Sequence, residues 1–332
     1  MLASLDEKPT YEALSYEWGS SKSQTLPIKL DGHVRQVQEN LYYQRLNDHT
    51  RTLWIDAICI NQADTLERNQ QVAQMGSIYS LASRVVAWIG REESQGFAVP
   101  GTSAKDAVEF LKDLNIGFVT GTLSSDGRLT SRGREVSLPE VTILKIKALS
   151  ALSTRSYWTR LWIIQELTLP SEVVVQCGSI TFDLNFFQSK INLYLHPTLW
   201  DGKSGTDEYR LTWRSLLKPT TITDLRNQRA SKAGEGDKWQ NTSGFDSLLS
   251  IMHDTSKSQC EDMRDKVFGV LSLSKQCCRE AIPPDYTKTL TEICEDILVH
   301  QLVQHPDVKL PSGVTHTFVT GSSTKLLVDR RT

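Results

Sequence analysis

Short apolar runs and longer stretches of helical spacing alternate along the first half of the chain. Leu53-Trp54-Ile55 is an unbroken run of aliphatic, aromatic and β-branched residues. Such a run fits a parallel strand buried on both faces better than a half-exposed antiparallel one. Asp64-Thr65-Leu66-Glu67 follows, an N-cap candidate with Glu three residues on, the arrangement that satisfies orphan amides at a helix start. Val72, Met75, Tyr79 and Ala82 then recur at three- and four-residue spacing, one stripe facing a core while Glu67, Arg68, Gln71 and Gln74 are solvated. A second apolar strand, Val85 to Ile89, stops at Gly90. Strand, helix, strand at this spacing is a βαβ unit with a right-handed crossover.

Two further blocks have the same character. Tyr11-Glu12-Ala13-Leu14-Ser15-Tyr16-Glu17-Trp18-Gly19 reads as a strand entering a polar and aromatic turn. Arg155 to Leu167 reads as one helix, closed by Pro170, on which Trp158, Trp162 and Glu166 share a face at i, i+4, i+8. Val173 to Gly178 supplies another strand. Strands near 12–16, 53–57, 85–89 and 173–177 are therefore expected in one mainly parallel sheet with helices on both faces, an α/β fold.

Elsewhere the pattern predicts helices over 104–114 and 139–153, with a Gly-, Ser- and Thr-rich stretch over 117–137 reading as a mobile inserted loop. After Gly178 the pattern turns helical, over 186–195, 247–253, 265–273 and 290–303. These segments are too broken by polar loops to bury a large core alone, so they should pack against the sheet. Residues 227–244 read as a linker, and residues from Lys309 onward as frayed.

Composition narrows the function classes. Lys plus Arg total 37 against 39 for Asp plus Glu among 332 residues, so there is no electrostatic case for nucleic acid or an anionic membrane. The longest apolar runs fall far short of the roughly 18 residues that span a bilayer. The start has no basic region ahead of an apolar one and turns acidic by Asp6, which argues against a secretory signal. Without export, Asn241-Thr242-Ser243 is a chance glycosylation match. The six cysteines show neither a C-x-x-C pair nor zinc-ligand spacing and read as free thiols in a reducing compartment. His253 and Cys260 read as packing residues, and no metal site is expected. P-loop, G-x-G-x-x-G and G-x-S-x-G motifs are absent.

In parallel sheets ligands bind beyond the carboxyl ends of the strands, where Asp56, Asn61 and Gln62 fall. These residues either form a binding edge or satisfy backbone groups where the strand meets its helix, and both readings stay open.

The blocks Tyr11 to Gly19, Leu53 to Gln62 running on to Trp88-Ile89-Gly90, and Arg155 to Leu167 resemble the three signature segments of the fungal heterokaryon incompatibility (HET) domain, in the same order. Asp262 to Leu271, followed by Pro284-Asp285-Tyr286, resembles what commonly trails that domain. The likeness covers about residues 10–290, with a HET domain over 1–180 and a helical extension over 181–332. Two departures stand out: only ten residues precede Tyr11, where the expectation is either a sheet without that edge strand or a truncated gene model, and Tyr42-Tyr43-Gln44 stands where smaller apolar residues are typical.

What the resemblance implies is a cytoplasmic fungal protein of self/non-self recognition that triggers programmed cell death. Its partners would be further copies of itself or other incompatibility or signalling proteins, with no nucleic acid and no membrane. HET domains are distantly similar to Toll/interleukin receptor (TIR) domains, which have a flavodoxin-like sheet and in several branches hydrolyse NAD. No resident cofactor is implied; NAD would be the substrate.

Glu166 best fits the TIR glutamate, stabilising the positive charge that develops as a glycosidic bond breaks. Tyr16, Trp18 and Trp162 would wall the site, Asp56, Asn61 and Gln62 would hold ribose hydroxyls, and Arg160 would pair with Glu166 or meet a phosphate. As an exposed helix carboxylate, Glu166 should be replaceable without loss of fold. Against this stands a non-enzymatic reading in which the domain self-associates to pass on a death signal. On that reading the tryptophans are core and Glu166 is one half of a structural ion pair with Arg160 or Arg155.

Overall fold

The computed structural model describes residues 4–19, 24–30, 32–44, 51–92, 103–113, 121–123, 128–131, 134–137, 140–194, 222, 225–227, 229 and 247–305. At its centre β1 (Glu12–Tyr16) is followed by the antiparallel hairpin of β2 (Thr25–Leu30) and β3 (His33–Gln38), the single turn α1 (Glu39–Tyr42) and β4 (Leu53–Trp54). Next come α2 (Asp56–Cys59), α3 (Thr65–Leu81) and β5 (Arg84–Trp88). β1 pairs in parallel with both β4 and β5.

Beyond α4 (Ala104–Asp113) lies a small antiparallel sheet of β6 (Gly121–Leu123), β7 (Arg128–Ser131) and β8 (Arg134–Ser137). It falls inside the stretch expected to be a mobile loop, a correction with a physical basis: Leu129 and Val136 are registered partners in paired backbone, so this part of the insertion satisfies its own hydrogen bonds. Then follow α5 (Glu140–Ser153), α6 (Ile163–Thr168), β9 (Val173–Cys177), β10 (Ile180–Asp183) and α7 (Leu184–Tyr194). β9 pairs in parallel with β5, while β10 lies antiparallel on the outer edge.

The main sheet runs β10-β9-β5-β1-β4. Numbering only its own strands along the chain, this order is 2-1-3-4-5, the flavodoxin-like arrangement with the last strand reversed. The strand progression changes direction between β1 and β5, so their carboxyl ends, Tyr16 and Trp88, flank the crevice where such sheets bind ligands.

Strand alternation divides the core. Ala13, Val85, Ala87, Val173, Val175 and Cys177 face one side, where they join the large cluster with Met75, Tyr79, Phe110, Leu152, Trp158, Leu167 and Phe187 from the helices. Leu14, Tyr16, Val86 and Trp88 face the other, covered by Val37 and Leu41 from the β3–α1 segment. Among the described residues the helical cover is thus heavy on one face, while the other carries the hairpin, the single turn α1 and Ile55 and Ile58 at α2.

Two further expectations change. The strand at 53–57 is cut to Leu53–Trp54, both half-buried, because β4 is an edge strand and α2 starts at Asp56. The single helix expected over 155–167 is broken. Ser156–Thr159 form a 3₁₀ turn, Arg160 is extended (φ −66°, ψ 142°), and the α-helix begins at Ile163. Leu161 N–H donates to Gln259 O at 2.8 Å and Gln259 N–H to Thr159 O at 2.6 Å. A chain segment a hundred residues away therefore takes the backbone groups that a continuous helix would have used.

The C-terminal helices α8 (Leu248–Asp254), α9 (Asp265–Leu271), α10 (Gln276–Ala281) and α11 (Leu290–Gln304) contribute Leu249, Phe268, Val270, Ile293 and Ile297 to the same large core cluster. They are layered on the sheet's helices: a Cβ built on Gly76 of α3 would lie 2.5 Å from Ser272 Cβ, just past α9. The expected helices over 104–114, 139–153, 186–195, 247–253, 265–273 and 290–303 all have counterparts at these positions. Most of the linker over 227–244, and the chain from Lys309, lie outside the described residues.

Candidate active site

The end of β1 presents two adjacent side chains to opposite faces, and each meets a buried carboxylate. Ser15, on the helix-rich face, donates to Glu166 of α6. Its oxygen also lies 2.6 Å from the Tyr157 hydroxyl. With Ser15's one proton given to Glu166, Tyr157 is the donor in that second bond, so a Tyr157–Ser15–Glu166 chain forms. Tyr16, on the other face, hydrogen-bonds Asp56. Asp56 also accepts Trp18 Nε1–H at 2.7 Å and the Ala57 amide at 2.7 Å. It is the first residue of α2, placed there because β4 ends after two residues.

Arg160 connects the two halves. Its Nη1 lies 3.7 Å from Glu166 Oε2, and the charges of Glu166 and Asp56 both act on it. Nη1 is buried without a hydrogen-bond partner. The extended backbone at Arg160, fixed by the Gln259 bridge, points this side chain to the sheet edge.

Burial dominates the electrostatics here. It pushes the Glu166 carboxyl up to about 7, against the opposing pull of Arg160 and the Ser15 hydrogen bond, with the Asp56 charge adding to the rise. Asp56 is raised for the same reason, opposed by Arg160, Trp18, the Ala57 amide and Tyr16. Burial alone would lower Arg160, but the two carboxylates outweigh it and its pKa rises. Tyr16 and Tyr157 are pushed up by burial, reinforced by their acidic neighbours. Two carboxylates share one guanidinium, so the fully ionised cluster carries a buried negative charge, and a proton on Glu166 is close to balanced at neutral pH.

The surrounding loops are pinned. Asn40 Nδ2–H donates to Glu17 O at 2.7 Å, and Ser156 donates to the Glu17 carboxylate at 2.5 Å, tying the third motif to the turn after β1. Arg155, fully enclosed, donates to Ile89 O at 3.0 Å, Arg91 O at 2.7 Å and Glu92 O at 3.2 Å, clamping the chain as it leaves β5.

Of the residues singled out in the sequence, Tyr16, Trp18, Asp56, Arg160 and Glu166 come together. Trp18 is the most open of them, 36% exposed. Asn61 and Gln62 do not join. Both are exposed, and Asn61 serves the start of α3, its amide donating to Glu67 Oε1 at 2.9 Å and its Oδ1 accepting from Ala63. Trp162 turns away to donate Nε1–H to Asp265 at 3.2 Å. The expected common face of Trp158, Trp162 and Glu166 therefore does not form, because the chain is not helical through Arg160. Glu166 is only 2% exposed, which overturns the expectation of an exposed carboxylate: α6 inserts between the sheet and the C-terminal helices.

Ser15 and Tyr157 were not singled out. Ser15 is the one polar residue between Leu14 and Tyr16 in an otherwise apolar strand interior, and that is the signal it carried. Among the described residues the grouping able to hold a metal ion lies elsewhere, at the C-terminal helices.

Residues 11–166 match the family of the heterokaryon incompatibility protein (HET). The chain is also similar to heterokaryon incompatibility protein 6, OR allele, of Neurospora crassa: 26% identical over 326 residues, covering 87% of this chain and 46% of that protein. It thus spans about half the length of this curated relative. No solved structure matches it. All three segments that build the Ser15–Asp56–Arg160–Glu166 cluster lie within residues 11–166, the part of the chain that matches the HET domain family.

Proposed function

We propose that this protein acts in fungal heterokaryon incompatibility and that its sheet-edge cluster hydrolyses the N-glycosidic bond of NAD, killing the cell by depletion. One observation carries the chemical part. Glu166, raised to about 7 beneath the carboxyl end of β1, sits beside an arginine whose Nη1 has no hydrogen-bond partner. A carboxylate at that position stabilises an oxocarbenium-like transition state electrostatically. The bond from ribose C1′ to the nicotinamide nitrogen breaks and its electron pair leaves with neutral nicotinamide. Water adds to C1′, and its proton passes to Glu166 and then to solvent, leaving ADP-ribose. Arg160 would meet the dinucleotide's phosphates, Trp18 would stack on a base, and Asp56 would hold ribose.

A second reading rests on the enclosure of Glu166. A carboxylate bonded to Ser15 and paired with Arg160 also suits a domain whose work is self-association. Nicotinamide release by the full chain, held at high local concentration, separates the two. On the enzymatic reading Glu166→Gln lowers release by about 10²–10³-fold, the range for removing one preorganised electrostatic group. The comparison is made on protein shown by circular dichroism to be folded. Equal rates in both proteins would remove Glu166 from the mechanism. Cell killing that persists in folded Glu166→Gln, without NAD loss, would support the association reading.

A further inference from the structure

The six cysteines show no zinc-ligand spacing along the sequence, yet the fold assembles four ligand-type side chains. Cys277 and Cys278, on the first turn of α10, face His300 and His305 at the end of α11, and one ligand atom from each lies within 4.8 Å of all the others. Both thiols approach the same nitrogen: Cys277 Sγ and Cys278 Sγ are each 3.4 Å from His305 Nε2. A neutral imidazole nitrogen offers one lone pair, so it cannot accept from two thiols at once. His300 adds a ring nitrogen to the group, and its Nε2 is buried with no hydrogen-bond partner. Gln301 Nε2–H donates to His305 O at 3.0 Å, which holds the end of α11 and the imidazole it carries.

These distances suit a tetrahedral ion. Zinc takes thiolate sulfur at about 2.3 Å and imidazole nitrogen at about 2.0 Å, which sets ligand-to-ligand edges near 3.3–3.8 Å. Both sulfur–nitrogen edges to His305 already fall there, and the remaining pairs, all within 4.8 Å, need to close by at most about 1.5 Å. We propose that Cys277, Cys278, His300 and His305 bind one zinc ion. Four protein ligands fill the tetrahedron and leave no position for water, so the site is structural. Binding displaces the two thiol protons to solvent, and the ion staples α11 to α10. The assignment is independent of the reading of Glu166.

The full chain, purified reduced and without added metal, is expected to carry about one zinc per chain by elemental analysis. After the zinc is removed and replaced with cobalt(II), it should show the intense visible bands of a tetrahedral ion and near-ultraviolet thiolate-to-cobalt charge transfer. Cys277→Ser/Cys278→Ser should lose the charge-transfer band, and His305→Ala should shift the visible bands. His253→Ala, an exposed histidine outside the group, should change neither. A reduced chain that holds no zinc and gives no bands in excess cobalt overturns the proposal, as does one that holds copper in place of zinc. Charge transfer that survives in the double cysteine variant places the metal elsewhere and overturns it too. Should the variants fail to fold, the wild-type zinc content and cobalt spectrum decide alone.

Discussion

α6 and the residue before it separate two clusters of similar composition that meet their charges differently. On the sheet side, Asp56, Glu166, Tyr16 and Tyr157 are buried and Arg160 is half-buried; the carboxyls are pushed up, and Arg160 Nη1 has no hydrogen-bond partner. On the other side lie Trp162, Asp262, Asp265, Arg264, Arg68 and Tyr286; burial pushes Asp265 up here too and Arg68 Nε is buried without a hydrogen-bond partner, but both carboxylates are held by direct side-chain hydrogen bonds. Arg264 binds Asp262 through Nε and Nη2 at 2.9 and 2.6 Å and spends Nη1 on Tyr286 O at 2.6 Å. The guanidinium of Arg68 stacks 3.3 Å over the Tyr286 ring, and Asp265 accepts from Tyr286 and Trp162. Hydrogen bonding to Arg264 holds Asp262 below the usual carboxylate range. The second cluster thus closes a joint between α3, α6 and the C-terminal helices, while in the first two buried carboxylates share one guanidinium.

The sharpest way to break this contrast is to remove each arginine. Arg160→Met leaves two buried carboxylates without a counter-charge and should cost about 3–5 kcal/mol. Arg264→Met removes a clamp that solvent can partly replace and should cost about 1.5–3 kcal/mol. Urea midpoints at neutral pH measure both. Equal losses would mean that the sheet-edge charges are no more enclosed than the joint.

pH offers a second lever, of opposite sign for Glu166 and Asp262. The folded protein holds Glu166's proton up to about 7 against an ordinary value of 4.5, so across that window it binds more protons than the unfolded chain. Stability from this group is complete below about 4.5 and is lost as pH rises through 7. Asp262 is lowered, so its contribution is present above its ordinary value and fades as pH falls. Wild type minus Glu166→Gln stability should therefore fall between pH 4.5 and 7 and then level off. A flat difference would show that Glu166 is not held protonated.

The two clusters also differ in how legible they were. The signature segments name Tyr16, Asp56, Arg160 and Glu166, and strand alternation places β1 and β9 at their observed bounds because each carries buried apolar residues on both faces. Asp64 caps α3 as its side chain dictates, accepting from Leu66 and Glu67. What stayed hidden needed partners distant in sequence. The β2–β3 hairpin is mostly exposed, so its alternation is weak, although Gly32, with φ +78°, precedes β3. The break at Arg160 depends on Gln259, and the meeting of Cys277 and Cys278 with His305 depends on where α11 ends. Neither can be read from local spacing.

The docking of the C-terminal helices can be tested at one atom. Gly76→Ala places a methyl 2.5 Å from Ser272 Cβ, two backbone-anchored atoms that cannot rotate away. Overpacking of this kind should cost about 1–3 kcal/mol. Ser272→Gly in the same chain should recover part of it, less the bond from Ser272 to Gln165 at 2.6 Å. Simple additivity of the two changes in a double-mutant cycle would mean that α3 and the α9 end do not touch as described.

The smallest expected effect belongs to Trp162, and it decides which side of α6 this residue serves. Its indole N–H reaches Asp265 at 3.2 Å and its ring packs against the large core cluster beside Gly269. Phe keeps most of the packing and loses the hydrogen bond, while Tyr286 still donates to Asp265 at 2.6 Å, so Trp162→Phe should cost about 1 kcal/mol. Because the indole points away from Asp56 and Glu166, nicotinamide release per folded molecule should stay at the wild-type rate, whereas Trp18→Ala, which removes the exposed indole bonded to Asp56, should weaken NAD binding. If Trp162→Phe abolished release in a protein of wild-type stability, Trp162 would return to the substrate side, and the division of labour across α6 would fail.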